Sequence, residues 1–318
     1  MKDLLTPIAE RVARRMEETA AGHSGVQRLI NEVLPDPDVD MEQLITFLDE
    51  SPATAYRKFA TELREAFAAV LRDALSGVRN EIGDDHSYLY AVLLDMHSVP
   101  GSTERLSGIL TLNYDLFLEH AIVKVLGREI DYGVSTGAGR PSPDAVPVLK
   151  LHGSFGWTWA WPLAMSLDHD TDGVWIPPGI RKPKTEYPFN AIWGMARELL
   201  DCDIVRLIGC NLGSNDWDLI SLLFSTHYTH TSAEPYAIEV ISSPSTAKRI
   251  NDSFPYLKAK SLVELPDVGT SVALESQATG GNTFEYWLTL KAEQMLNELE
   301  TVDTHSGIFA RFALEMAQ

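Results

Sequence analysis

Residues Thr111 to Asp115 read "TLNYD" and end the apolar run "SGILTL"; residues Leu149 to Ser154 read "LKLHGS" and end a second apolar run, "VPVLKL". In both places a short segment rich in Ile, Val and Leu stops at polar residues. From Val99 onward the pattern repeats, with "CDIVRLIGC", "PYAIEVISS" and "KAKSLVEL" as further strand-like runs. Between them lie helical stretches: "NYDLFLEHAIVKVLG", "YPFNAIWGMARELLD", "NDWDLISLLFSTHY" and "PSTAKRINDSFPYL". Strands alternating with helices at this spacing need crossover connections, which predicts a mostly parallel sheet with helices on both faces. Ligands of such sheets sit beyond the carboxyl ends of the strands. Asn113, Asp115, His152, Gly153, Gly209, Asn211, Ser214 and Asp216 all fall there, so they are expected along one sheet edge.

Each of these residues also has a structural explanation. Asn and Asp are favoured helix N-caps, so Asn113 and Asp115 suit the start of "LFLEHAIVKVL", and Ser214, Asn215 and Asp216 suit the start of "WDLISLLF". His152 can close a strand by hydrogen bonding, with Gly153 permitting the turn.

Upstream, residues 1–98 carry apolar positions at spacings of three and four in "LLTPIAERVARRM", "VQRLINEVL", "MEQLITFLDES", "AYRKFATELREAFAAVLRDAL" and "HSYLYAVLLDM". The chain therefore divides into a helical region, 1–98, and an α/β core, 99–318. Within the core, 266–283 reads as a polar loop leading to a closing helix, "FEYWLTLKAEQMLNELE", with "GIFARFALEMAQ" as a further short helix.

Charge narrows the partners. The chain has 45 acidic and 26 basic residues and a formal charge of -19, which repels a phosphate backbone and argues against nucleic acid. No run approaches the roughly 20 apolar residues of a membrane span. The charged, amphipathic start "MKDLLTPIAERVARRMEE" is unlike a secretory signal, so the cytoplasm is the expected compartment. Cys202 and Cys210 are the two cysteines, too few for a four-thiolate zinc site, and are expected as free thiols.

The ordered series "TLNYDLFLEHAI", "LKLHGSFGW", "VRLIGCNLGSNDWDL" and "EVISSPS" resembles the sirtuin family, and more closely its bacterial branch found in antiviral defence systems. The resemblance is good over about Leu106 to Pro244 and implies a Rossmann-like fold that binds NAD. It further implies a large helical N-terminal region covering the NAD cleft, and cleavage of the nicotinamide–ribose bond. In that reading Asp115 binds the nicotinamide amide, Asn113 orients ribose or the attacking water, and His152 is the general base. Thr111, Tyr114, Gly153, Gly209, Asn211, Ser214, Asp216 and Ser242 would contact the nucleotide, with Asn211 standing where the family usually has serine. The zinc-ribbon cysteines of protein-deacylating sirtuins are absent, which favours water as acceptor and an NAD glycohydrolase. A non-catalytic NAD or ADP-ribose sensor or scaffold, and an NAD-dependent deacylase, are the alternatives. Expected partners are an NAD-type nucleotide and either a second copy of the chain or a neighbouring defence protein.

The family's opening strand and Gly-Ala-Gly-x-Ser phosphate turn have no counterpart here. The resemblance implies that they lie upstream of Met1, or that the domain has lost them. The "GAG" at 137–139 neither leaves a strand nor opens a helix and reads as a loop. "DHDTD" (168–172) and "HYTH" (227–230) lack a clear third metal ligand and read as a solvated loop and a helix face. "WTWAW" (157–161) reads as packing beneath the following loop, with a lid beside the nicotinamide pocket as the alternative.

Overall fold

The computed structural model describes residues 7–8, 10–12, 14, 24–36, 39–81, 85–97, 105–135, 140–158, 164–165, 173–177, 179, 184–210, 212–213, 215–229, 236–242 and 244–261. The closing helices expected beyond 283, the "DHDTD" and "GAG" segments, and Asn211 and Ser214 lie outside the described residues.

The helical region comprises α1 (Ser24–Arg28), continued by a π-turn (Leu29–Val33), α2 (Met41–Glu50), α3 (Thr54–Glu81) and α4 (Asp85–Met96). Helix α2 starts where it does because Asp40 caps it: Asp40 Oδ1 accepts from the Glu42 and Gln43 amides at 3.0 and 3.1 Å. Along α3 the residues Phe59, Ala60, Leu63, Ala66, Phe67 and Val70 recur at helical spacing and are buried. They pack with Met41, Ile45 and Leu48 of α2 in one cluster that also holds Ile8, Val12 and Val26. Each large side chain so buried contributes roughly 1.5–3 kcal/mol, so this region has a core of its own.

The second half alternates as anticipated. Strands β1 (Ile109–Thr111), β2 (Ile130–Asp131) and β3 (Val146–Lys150) form a parallel sheet in the order β1-β3-β2. Strands β8 (Ile204–Ile208), β9 (Ala237–Ile241) and β10 (Lys260–Ser261) form a second parallel sheet, β10-β9-β8. Helix α5 (Phe117–His120), extended by a π-turn (Ala121–Val125), follows β1; α6 (Phe189–Leu199) precedes β8; α7 (Trp217–Thr229) follows β8; α8 (Pro244–Ser253) follows β9. Two small antiparallel pairs lie between β3 and α6 and were not expected: β4 (Gly153–Ser154) with β7 (Val174–Trp175), and β5 (Trp157–Thr158) with β6 (Ala164–Met165).

One core serves both parallel sheets. Leu149 and Leu151 from the first sheet and Leu207, Ile238 and Val240 from the second join Phe189, Ile192, Trp193 and Ala196 of α6 in a single cluster. The buried positions of α6 follow a spacing of three and four, and the Trp193 indole donates to the Leu151 carbonyl at 3.1 Å, tying helix to strand. Helix α4 packs on the other side of the first sheet, where Leu94 meets Ile122, Val146 and Val148. Central strand β3 is therefore buried nearly throughout, whereas β1 and β8 are only half-buried along most of their length. Trp157 follows the packing reading: it is fully buried, edge-on to Tyr132 with ring centres 5.4 Å apart. Among the described residues no helix is long and apolar enough to cross a membrane.

Candidate functional site at two strand ends

Because β1 and β3 are direct neighbours, with Thr111 opposite Lys150, the segments that leave them are forced together. Leu151 N donates to the Thr111 carbonyl at 2.9 Å, and Phe155 N to the Tyr114 carbonyl at 3.2 Å, so the two polar segments are laced by backbone bonds. Asn113 is exposed; its amide donates to Thr111 Oγ1 at 3.1 Å, which turns the chain sharply after β1. Tyr114 points inward, its hydroxyl donating to the Ile176 carbonyl at 2.9 Å. Burial, with the Glu42 carboxylate adding to it, pushes that phenol well above its usual range, so it stays neutral and serves as a donor.

Asp115 precedes Leu116, the N-cap residue of α5, and its side chain bonds the first helical amide. Its Oδ1 accepts from the Phe117 amide at 3.1 Å at the start of α5. Its own carbonyl accepts from the Lys150 ammonium. Sequence reading passed over Lys150 and its partner Glu119, whose Oε1 is 2.7 Å from Lys150 Nζ. The signal was present: a lysine inside the apolar run "VPVLKL" is out of pattern, and lysine is rarely buried unless paired.

His152 is 8% exposed and sits beyond β3, and its carbonyl accepts from Ile176 N at 2.8 Å. Its imidazole lies over Tyr114, ring centres 6.3 Å apart. Gly153 is required next to it. Its φ is +78°, and a Cβ there would lie 2.1 Å from the Val174 carbonyl oxygen, because β7 crosses directly behind. Ser154 is fully buried, with its hydroxyl accepting from Gly156 N at 3.2 Å. Tyr114, Phe155 and Trp175 close the back of this end as an aromatic group with centres 5.2–5.4 Å apart. The helical region reaches it as well: Phe67 stacks on Trp175 at 6.4 Å, and the Arg72 guanidinium lies 5.4 Å from the centre of Phe155.

The second strand end belongs to β8 and β9. Gly209 N donates to the Ile241 carbonyl at 3.1 Å, joining the two exits. Gly209 has φ +63° and is exposed, and a Cβ there would meet nothing within 4 Å, so the backbone presents an open face. Burial pushes the Cys210 thiol up, against the pull of the Leu212 backbone, so it is not poised as a thiolate. Asp216, just before α7, turns its side chain back into the preceding loop, with Oδ2 accepting from Gly213 N at 2.8 Å. Next to it Asn215 donates to Asp40 Oδ2 at 2.8 Å, which latches this loop to the start of α2. Ser242 Oγ bonds Thr246 Oγ1 at 3.3 Å at the start of α8.

The structure thus brings Thr111, Asn113, Tyr114, Asp115, His152 and Gly153 to the adjoining exits of β1 and β3, linked through Leu151, Phe155 and Ile176, and Gly209, Asp216 and Ser242 to the exits of the neighbouring sheet. Among the described residues no cluster of three His, Cys, Asp or Glu side chains could hold a metal ion.

A family model for the SIR2-like domain matches residues 107–262. No curated protein matches the chain. The matched span runs from just before β1 through β10, so it takes in both parallel sheets and both strand ends and leaves α1–α4 outside. Residues 107–262 of this chain are accordingly a SIR2-like domain, a type that binds NAD-class nucleotides.

Proposed function

We propose that the protein is an NAD glycohydrolase, cleaving NAD with water to nicotinamide and ADP-ribose. The observation that carries this reading is the pairing of β1 with β3, so that the exit of β1, which carries the exposed Asn113, adjoins the exit of β3, which carries the buried His152. Cleavage breaks the C1′–N bond, and its electron pair leaves on nicotinamide. Water adds to C1′ and gives up a proton, which an imidazole accepts near neutral pH. His152 takes that proton, Asn113 orients the water or the ribose hydroxyls, and the second Asp115 carboxylate oxygen holds the carboxamide while Oδ1 keeps its bond to the Phe117 amide. The walls of Tyr114, Phe155 and Trp175 keep bulk water from the reacting centre. The open backbone at Gly209 leaves room for the nucleotide to approach the neighbouring sheet.

Water rather than an acyl-lysine peptide is the acceptor, since two cysteines cannot build the zinc ribbon that frames a peptide groove. Depletion of NAD is also an outcome suited to the bacterial defence setting that the resemblance implies. The test is direct: purified protein with NAD alone should release nicotinamide, and the His152→Ala and Asn113→Ala variants should not. Release that depends on added acyl-lysine peptide would assign a deacylase instead. The engagement of Asp115 Oδ1 by the Phe117 amide favours a second reading, an NAD or ADP-ribose sensor. Calorimetric binding of NAD without nicotinamide release would select it.

A further inference from the structure

Lys150 and Glu119 pose an energetic problem. Both side chains are only 1% exposed, and taking two charges out of water is costly unless pairing and further hydrogen bonds offset it fully. Glu119 spends one oxygen on Lys150, while Oε2 is buried with no hydrogen-bond partner. An apolar pair of the same size would fill the space without that cost, and such replacements are often neutral or stabilising. Stability alone therefore does not explain the pair.

Its geometry does. Lys150 stands opposite Thr111 in the ladder, two residues before His152, and reaches past Thr111 to the Asp115 carbonyl. Glu119 lies four residues beyond Asp115, in the first turn of α5, and holds the ammonium from the far side. The turn 113–115 is tied at its first residue to Thr111, at its second to Phe155 N and Ser154 Oγ, and at its third to Lys150. Of these ties, Lys150 is the one that fixes the Asp115 end from the strand that leads to His152.

We propose that Lys150 is a positioning residue: through its buried pair with Glu119 it clamps the Asp115 carbonyl and sets the Asn113–Asp115 turn at a fixed distance from His152. The functional half of this inference rests on the NAD-cleaving reading; the conformational half does not. Removing Lys150 alone strands a buried carboxylate and is expected to unfold the site, so the decisive variant is Glu119→Leu/Lys150→Met, which removes both charges and keeps the volume. It should fold with a melting temperature at or above that of the wild type. Hydrogen–deuterium exchange of the amides in 113–117 should nevertheless rise, and kcat for nicotinamide release should fall with KM changed less. A misplacement on the ångström scale costs about 100-fold in rate, so a loss of at least about tenfold is expected. Lys150→Arg, which can still donate to both oxygens, should recover part of kcat if it folds.

Unchanged exchange across 113–117 in the folded double variant overturns the proposal, and so does wild-type kcat. If the wild type itself releases no nicotinamide, the NAD-cleaving reading fails separately, and exchange alone decides whether Lys150 holds the turn.

Discussion

The two strand ends differ in how they are built. At the β1–β3 end nearly every polar group is committed: Tyr114 to Ile176, Asp115 to Phe117, Lys150 to Glu119, Ser154 to Gly156, all against a buried aromatic wall. At the β8–β9 end Gly209 faces open space, and the side-chain bonds at Asp216 and Ser242 serve the starts of α7 and α8. A dense, pre-bonded end suits groups that must meet a reacting atom in fixed geometry, while an open backbone suits the passive seat of a nucleotide. The division of labour that the proposed function implies is chemistry at the first sheet and accommodation at the second.

The largest test of that division is His152→Ala, which should lower kcat for nicotinamide release by roughly 10²–10⁴-fold, the usual worth of a general base, with the fold intact by circular dichroism. A change of similar size in KM rather than kcat would move His152 from chemistry to binding.

Paired glycine variants separate the ends next. Gly153→Ala drives a methyl into the Val174 carbonyl and should destabilise by about 3 kcal/mol or more in denaturant unfolding. Gly209→Ala meets no atom and carries only the left-handed backbone strain, about 1–2 kcal/mol, so its main effect should be a raised KM for NAD. Equal destabilisation by both would erase the contrast.

Asp115→Asn sharpens the comparison further. Asn keeps an oxygen that can accept from the Phe117 amide, so stability should change by less than about 1 kcal/mol. Turnover should still drop if the second carboxylate oxygen holds the carboxamide; full turnover would reduce Asp115 to its bond with the Phe117 amide. Smallest is Asp216→Ala, which removes the bond to the Gly213 amide in the loop before α7 and should cost about 1 kcal/mol with turnover little changed.

Much of this was legible in the chain itself. The alternation after Val99 anticipated β1, β3, β8 and β9 and the helices between them, because strand and helix periods are local properties of neighbouring residues. The motif ends were also readable, since polar residues that interrupt apolar runs mark strand exits. The short antiparallel pairs β4–β7 and β5–β6 were not, for two-residue ladders leave no periodicity to detect. Nor was the choice between cap and ligand at Asp115, where both chemistries use the same carboxylate and only the position of Phe117 N separates the two oxygens.

Local patterns of polarity were enough to order β1, β3, β8 and β9 with their helices and to put Asn113, Asp115 and His152 at strand ends. Folding in three dimensions was needed to put β3 between β1 and β2, to bury Lys150 and Glu119 as a pair, and to bring α2 and α3 to the strand ends through Asp40, Phe67 and Arg72. Strand neighbours and buried charges depend on contacts between residues distant in the chain, and no local pattern encodes which distant segment will supply them.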